Sequence, residues 1–376
     1  MDNLELIFVG DFNTASPQSI CMGEKLRKII SCADIKCVNF EGALPLGELS
    51  IANKTILRQS MKSPSWCESN GFNLISLANN HMFDFGIDGL VGTKKSFKVD
   101  TIGAGIWDEV YKIHYVNIKN IKVGFFSGTA ADLASLKDDW TDKDAKGCAW
   151  INHRSVNRLI SEGKSNCDFL FVISHGGAEY MNLPLPEWRD RYRELIDYGA
   201  DGIIASHPHV PQGWEYYKNR PIIYSLGNFY FDLINRSQPI PQFWNTGLIV
   251  KLTIDKVKNT INLEVKLVER SDNSIEIVDT LESQKYLEEI CSYLDNTNYL
   301  RKVDEECLSL YNVYLDRIIV GTNSIKVTTF IKTMKNALRC FLKGKPNSKL
   351  ILHQIRNEDN RWVVARALKI KSKTTL

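Results

Sequence analysis

The sequence predicts an α/β protein, on two observations. Short apolar runs that read as buried strands alternate with helical patterns through the first two thirds of the chain. Five of those runs are followed at once by a residue able to hold a metal ion: Asp11, Glu41, Asn80, His175 and His207. Open α/β sheets place their sites at the carboxyl ends of their strands, so the second observation locates a site as well as supporting the class.

Taken in order, Leu4–Val9 reads as a short buried strand that Gly10-Asp11 breaks. A helical pattern through Leu26, Ile29 and Ile30 leads to a second strand, Cys37–Phe40, ending in Glu41-Gly42. A loop with Pro45, Gly47 and Pro64 and a short helix around Trp66–Glu68 come next. The third strand, Asn73–Ala78, ends in Asn79-Asn80-His81; Gly89–Val99 reads as a helix and Thr101–Gly105 as a strand and turn. Ile113–Ile118 and Lys122–Phe126 flank Lys119-Asn120-Ile121 as a hairpin, and Trp140–Lys146 reads as a polar loop.

Ser155–Glu162 reads as a helix stopped by Gly163, and Phe169–Ile173 as a dense apolar strand running into Ser174-His175-Gly176-Gly177. Pro186–Tyr198 puts Trp188, Tyr192, Leu195 and Ile196 on one side of a helix. Gly202–Ala205 then runs into Ser206-His207-Pro208-His209, followed by strands at Pro221–Tyr224 and Thr246–Ile254, with Ile261–Val268 as hairpin partner of the latter. From about Ser283 the character changes: Tyr286–Leu294, Leu308–Ile318 and Lys326–Leu342 read as helices, and Arg361–Ile370 as a helix or strand. A boundary is expected near residue 275, dividing 1–275 from a mainly helical, basic extension at 276–376.

Composition narrows the class. A chain of 376 residues, 44% of them hydrophobic, is long enough to bury a large core. The net charge of +3 hides an asymmetry. Thirteen Lys/Arg against Glu358 and Asp359 from residue 321 onward, out of totals of 47 and 44, leave 34 basic and 42 acidic residues before it. An acidic body therefore carries a basic tail, and no nucleic-acid partner is expected. In Thr328–Leu342, Phe330, Ile331, Met334, Leu338, Phe341 and Leu342 recur at helical spacing with Lys332, Lys335 and Arg339 between them. That pattern suits packing on the protein itself or peripheral contact with an anionic membrane. Nine scattered cysteines without a C-x-x-C pair fit reduced thiols. With no basic, apolar leader and no long apolar run, a cytoplasmic protein is expected.

The candidate site centres on His207-Pro208-His209. Two imidazoles at i and i+2 converge on one site when the backbone turns sharply, and Pro208 fixes φ for such a turn. Imidazole is the commonest metal ligand among side chains. Carboxylates, an amide oxygen and imidazoles together suit manganese, iron or zinc. This many ligands, with Glu41 able to bridge, suits two ions about 3.5–4 Å apart. His114, in a strand pattern, reads as structural, and His153 and His353 as surface residues.

These motifs resemble the CapA family, named for bacterial poly-γ-glutamate capsule synthesis, within the calcineurin-like metallophosphoesterase superfamily. The residues that carry the resemblance are Gly10-Asp11, Asn39-Phe40-Glu41-Gly42, and Ala78-Asn79-Asn80-His81 with Asp84 and Gly86. They continue in His175-x-Gly177-x-Glu179-Tyr180, Gly199-Ala200-Asp201, His207-Pro208-His209-Val210-x-Gln212, and Tyr224–Phe229 with Phe231-Asp232. The resemblance covers roughly residues 4–235. It implies a four-layer αββα sandwich of two mixed sheets packed face to face with helices outside. It also implies that Asp11 and His209 hold one divalent ion and Asn80, His175 and His207 the other. Glu41 would bridge the ions, and His81 would be the non-ligand histidine that protonates a leaving group. Asn13, Glu179, Tyr180 and Asn228 are candidate substrate contacts.

Three departures bear on function. Asn13 stands where the superfamily's first motif has His, Gly176 stands where the family usually has Trp, and no membrane anchor is visible. The expectation is a metal-dependent hydrolase acting in capsule or other surface-polymer biosynthesis on a small-molecule or polymer-precursor substrate. A non-catalytic, metal-stabilised subunit of a polymer-synthesis complex is the alternative, and a plain binding module fits this ligand set poorly.

Overall fold

The computed structural model describes residues 3–50, 55–132, 134–135, 144–232, 242–295, 297–320 and 354–374. Successive side chains of a strand face opposite sides of its sheet, and the first strand, Leu4–Asn13, is apolar on both. Leu6 and Phe8 point into one core with Cys37, Val123, Phe125, Phe171 and Ile204. Ile7 and Val9 point the other way, into a second core with Leu26, Ile30, Trp66 and Leu90. Such a strand lies inside a layered protein, not on its surface.

The first sheet runs, edge to edge, Cys21–Met22, Ser274–Val278, Thr260–Ser271, Thr246–Asp255, Leu4–Asn13, Ile35–Phe40, Leu74–Ser76 and Asp100–Ile102. Asn228–Phe231 also pairs with Leu4–Asn13, in parallel beyond Asp11. The second sheet runs Pro211–Tyr217, Arg220–Leu226, Gly202–Ser206, Phe169–His175, Ile121–Thr129 and His114–Ile118. Both sheets mix parallel and antiparallel pairs. The sheets meet across the core that holds Phe8 and Phe171, whose ring centroids are 6.3 Å apart. Outside the first sheet lie the helices Glu24–Cys32, Ser63–Ser69 and Gly86–Lys95. Outside the second lie Ser155–Lys164 and Pro186–Asp197, whose Trp188, Tyr192 and Leu195 cover Leu170, Val172 and Ile203. The architecture is the four-layer sandwich implied by the resemblance.

The first strand does not stop at Gly10-Asp11, as its polarity predicts. It runs on to Asn13 through a register irregularity at Asp11, because Asp11 N–H donates to Gly227 O at 3.0 Å and Asn228 pairs alongside. Such a bulge re-aims a side chain. A Cβ at Gly10 would lie 1.9 Å from Gly227 O, so only glycine lets these two segments cross. Pro211–Tyr217, Asn228–Phe231, Ser274–Val278 and Lys146–Cys148 are strands that the sequence pattern did not reveal; the last begins within the expected polar loop. The first of these is an edge strand, where proline is tolerated. His153 is buried, not on the surface: Trp107, Tyr111 and Trp150 pack around its ring, and its Nδ1 lies 2.8 Å from Ser155 Oγ. His114 pairs with Asp100 at 3.2 Å.

The C-terminal region is helical in Leu281–Ser292, Tyr299–Val320 and Glu358–Thr374. Residue 275 falls inside the strand Ser274–Val278. Tyr314 and Val363 join the core outside the second sheet. Thr328–Leu342, with its basic amphipathic pattern, and His353 lie outside the described residues. Among the described residues, no helix is long and apolar enough to cross a membrane.

Candidate metal centre

A strand bulge, three strand ends and the turns beside them converge at one end of the sandwich. Asp11 comes from the bulge of the first strand and Glu41 from the residue after Ile35–Phe40. His175 is the last residue of Phe169–His175, and His207 follows Gly202–Ser206 directly. Pro208 separates two residues in the left-handed region, His207 at φ 104° and His209 at φ 61°. Non-glycine residues adopt that region rarely, at about 1–3 kcal/mol each, and such strain gathers at functional sites.

The distances show how closely these groups meet. His209 Nδ1 lies 3.4 Å from Asp11 Oδ2 and its Nε2 lies 3.8 Å from Glu41 Oε1. His175 Nδ1 lies 3.8 Å from Asp11 Oδ1 and its Nε2 lies 3.8 Å from Glu41 Oε1. His175 Nε2 is also 3.0 Å from His207 Nδ1 and 2.9 Å from Asn80 Oδ1. Two triads, Glu41–His207–His209 and Asp11–Glu41–His175, each bring ligand atoms within 4.8 Å of one another, with Glu41 in both.

Glu41 supplies the test of whether a cation fits. It is fully buried, and neither Oε1 nor Oε2 takes a hydrogen bond. A buried carboxylate without partners is costly, and two carboxylates with three imidazoles form a donor set for a divalent cation. Burial, chiefly, and the Asp11 charge push Glu41 well above the usual carboxylate range, against the opposing effect of His209. Burial and the neighbouring imidazoles hold His175 well below its ordinary value. Burial likewise brings His207 down to about 4. His209 behaves oppositely: burial lowers it, but Glu41 and Asp11 prevail and raise it to about 9. Burial and mutual charge thus leave protons on Glu41 and His209 that an entering cation would displace.

A second layer of amides holds these groups. Asn39 Nδ2 donates to Asp11 Oδ1 at 2.6 Å and lies 2.9 Å from His175 Nδ1. Asn79 Oδ1 accepts from the amides of Gly42 and His81, both at 3.2 Å, and its Nδ2 donates to Phe40 O at 2.8 Å. This ties the Glu41 turn to the Asn80-His81 turn. His81 Nδ1 lies 2.7 Å from Asp84 Oδ2, which also accepts from Leu57 N at 2.9 Å.

The four candidate substrate contacts fall in different places. Asn13 donates from Nδ2 to the Glu41 carbonyl at 2.8 Å, while its buried Oδ1 takes no hydrogen bond. Asn228 Oδ1 lies 3.0 Å from His209 Nδ1. Tyr180 stacks on His209 at 6.4 Å between centroids, and Phe231 (4.9 Å) and Trp244 (5.0 Å) complete an aromatic wall around that imidazole. Glu179 pairs with Arg317 Nη2 at 2.8 Å. Asn39 and Asp84 stood within the motifs without an assigned role. Phe231 stood there too, whereas Trp244 and Arg317 carry no sequence signal, because the fold alone brings them close.

The family described as bacterial capsule synthesis protein PGA_cap matches residues 6–233. The capsule biosynthesis protein CapA of Bacillus anthracis is 38% identical over 170 residues, 43% of this chain and 41% of that protein. The PGA biosynthesis protein CapA of Bacillus subtilis (strain 168) is 30% identical over 246 residues, 61% of this chain and 64% of that protein. The chain thus matches less than two thirds of the length of either relative. The crystal structure of a hypothetical protein from Thermus thermophilus superposes with a TM-score of 0.44 at 14% identity, covering 71% of this chain and 100% of that one. Every residue from Asp11 to Asn228 that converges on the centre falls within the matched stretch, and the chain belongs to the bacterial capsule synthesis protein family PGA_cap.

Proposed function

We propose that this protein is a metal-dependent hydrolase of the metallophosphoesterase type, acting in the biosynthesis of a capsule or other surface polymer. The observation that carries the reading is Glu41: both its oxygens are buried and unbonded where Asp11, His175 and His209 meet. Asp11 and His209 would hold one divalent ion, Asn80, His175 and His207 the other, and Glu41 both, the ions being manganese, iron or zinc. When bound, such ions supply Lewis acidity and lower the pKa of water. The chain's own part is to hold the ligands in place, exclude bulk water with the Tyr180–Phe231–Trp244 wall, and deliver a proton. His81 is the proton donor, because Asp84 fixes its Nδ1 and directs transfer through Nε2. The substrate is a phosphoester or a related polymer precursor, and PGA, which the Bacillus subtilis relative's name mentions, is one candidate for the polymer concerned.

A second reading rests on Asn13, which stands where the superfamily has His and whose amide is committed to the Glu41 carbonyl. It makes the protein a metal-stabilised, non-catalytic subunit of a polymer-synthesis complex. Elemental analysis after incubation with manganese, iron and zinc, followed by assays on aryl phosphates, phosphodiesters and capsule precursors, tests both. One to two equivalents of metal with turnover supports the hydrolase, and metal without turnover on any substrate supports the subunit. Absence of bound metal under every condition overturns both.

A further inference from the structure

The turn that follows His175 is gripped from outside the family-matched stretch. Gly176 N–H donates to Ser206 O at 3.0 Å and Tyr180 N–H to Pro208 O at 2.9 Å, so the segment 176–180 lies directly on the His207-Pro208-His209 turn. A Cβ added at Gly177 would lie 2.8 Å from the Pro208 ring. The second turn carries two of the candidate ligands and the first directly follows a third, His175, so whatever fixes one turn fixes the other.

Two helices of the C-terminal region hold the segment. From Tyr299–Val320, Tyr314 donates its hydroxyl to Glu179 O at 3.1 Å, and Arg317 Nη2 donates to Glu179 Oε2 at 2.8 Å. Tyr314 and Arg317 are both buried, and the guanidinium lies 4.7 Å from the Tyr314 ring centroid. From Glu358–Thr374, Asp359 Oδ1 accepts from Trp188 Nε1 at 2.6 Å. The Trp188 indole occupies the space beside Gly176, where a Cβ would come within 2.6 Å of it. Glu179 is itself close enough to the centre for its charge to act on His207 and His209. Burial raises the Glu179 carboxyl, but Arg317 outweighs it and keeps the group ionised.

We propose that the C-terminal helices form a clamp on the metal centre, in which Arg317 and Tyr314 are positioning residues that hold the Glu179-Tyr180 turn, and through it His207 and His209, in ligating geometry. This rests on the metal-centre reading above. Residues that orient metal ligands from behind typically contribute about 10–100-fold in metal affinity. An exposed ion pair would not have this effect, but Arg317 is buried and bonded to a single carboxylate.

The test uses the full chain and two readouts. Manganese affinity is measured by calorimetric titration, and backbone hydrogen exchange is followed in the metal-free protein, for wild type, Arg317→Met, Arg317→Lys and Tyr314→Phe. The clamp predicts about 10–100-fold weaker manganese binding in Arg317→Met, with faster exchange confined to 176–180 and 206–210. Arg317→Lys should recover most of both. Tyr314→Phe removes a single hydroxyl, so it decides the matter if Arg317→Met does not fold; it should raise exchange at the same two turns. Wild-type affinity and exchange in Tyr314→Phe and in any folded Arg317→Met overturn the clamp. A wild type that binds no metal, yet shows the exchange change on substitution, overturns the metal reading and leaves the clamp as a mechanical coupling.

Discussion

Asn228 Oδ1 faces His209 Nδ1 at 3.0 Å, while the Asn228 amide donates to Trp244 O at 2.9 Å and to the His209 carbonyl at 3.3 Å. With the NH2 group committed to carbonyls, the oxygen must face the ring, so His209 carries a proton on Nδ1. Nε2 is then the nitrogen presented to Glu41, 3.8 Å from its Oε1. The hydrogen bond on one imidazole nitrogen determines which lone pair a metal can use.

Asn228→Ala should therefore weaken divalent-metal binding by about 10–100-fold. Far-UV circular dichroism should remain unchanged. Titration calorimetry with manganese measures the first, and an unaltered affinity would show that Asn228 does not orient the ligand.

Metal uptake should release protons. Burial works to neutralise His209, but the Glu41 and Asp11 carboxylates hold it protonated up to about pH 9. An entering cation has to displace the Nε2 proton. Apparent affinity should rise between about pH 7 and pH 9, by at most about tenfold per unit for one proton. Calorimetry in buffers of different ionisation enthalpy reads the proton count directly, and affinity flat across this range would mean that none is displaced.

How far the sequence was legible depends on range. Strands such as Phe169–His175 carry dense local apolar patterns, and an imidazole or carboxylate at their ends is conspicuous because apolar runs rarely finish that way. The extension of the first strand through Asp11 was not legible, because its partners Gly227 and Asn228 lie more than 200 residues away. Pro211–Tyr217 looks unlike a strand, with Pro, Gly and Glu in seven residues, and is stable as one only at a sheet edge. Asn39 reads as a strand residue until Asp11 and His175 are placed on either side of it. Arg317 and Asp359 belong to helices whose register against the second sheet no local pattern encodes.

Asp359 should make the protein's stability depend on pH. One oxygen is bonded to Trp188, the other is buried without a hydrogen bond, and burial, with Glu358 and Glu179 nearby, raises the carboxyl to about 7. The folded state keeps a proton that the unfolded chain gives up. The stabilisation is therefore complete below the ordinary Asp value of 3.8 and is lost as pH rises through about 7. Asp359→Asn keeps the acceptor for Trp188 and removes the titration. Relative to the wild type it should gain stability from about pH 4 to pH 7, by about 1.4 kcal/mol per pKa unit. Urea unfolding at about pH 5 and pH 8 measures this; parallel pH dependences would show that Asp359 titrates normally.

His81 separates an enzyme from a scaffold. Asn80 already offers its oxygen to the centre from this turn, 2.9 Å from His175 Nε2, so His81 is not needed as a ligand. Its Nδ1 is held at 2.7 Å by Asp84, whose carboxylate is anchored in turn by Leu57 N–H. That arrangement suits a proton donor whose ring must not rotate. His81→Asn should leave metal content and fold intact while lowering kcat by about 10²–10⁴-fold, equivalent to roughly 3–5 kcal/mol of transition-state stabilisation. Asp84→Asn should cost less than His81→Asn, because the ring keeps a hydrogen-bond partner at Nδ1. His207→Ala should reduce metal occupancy and rate together, which separates a ligand from a proton donor. Turnover that survives His81→Asn unchanged would remove this residue from the chemistry and leave proton delivery to solvent.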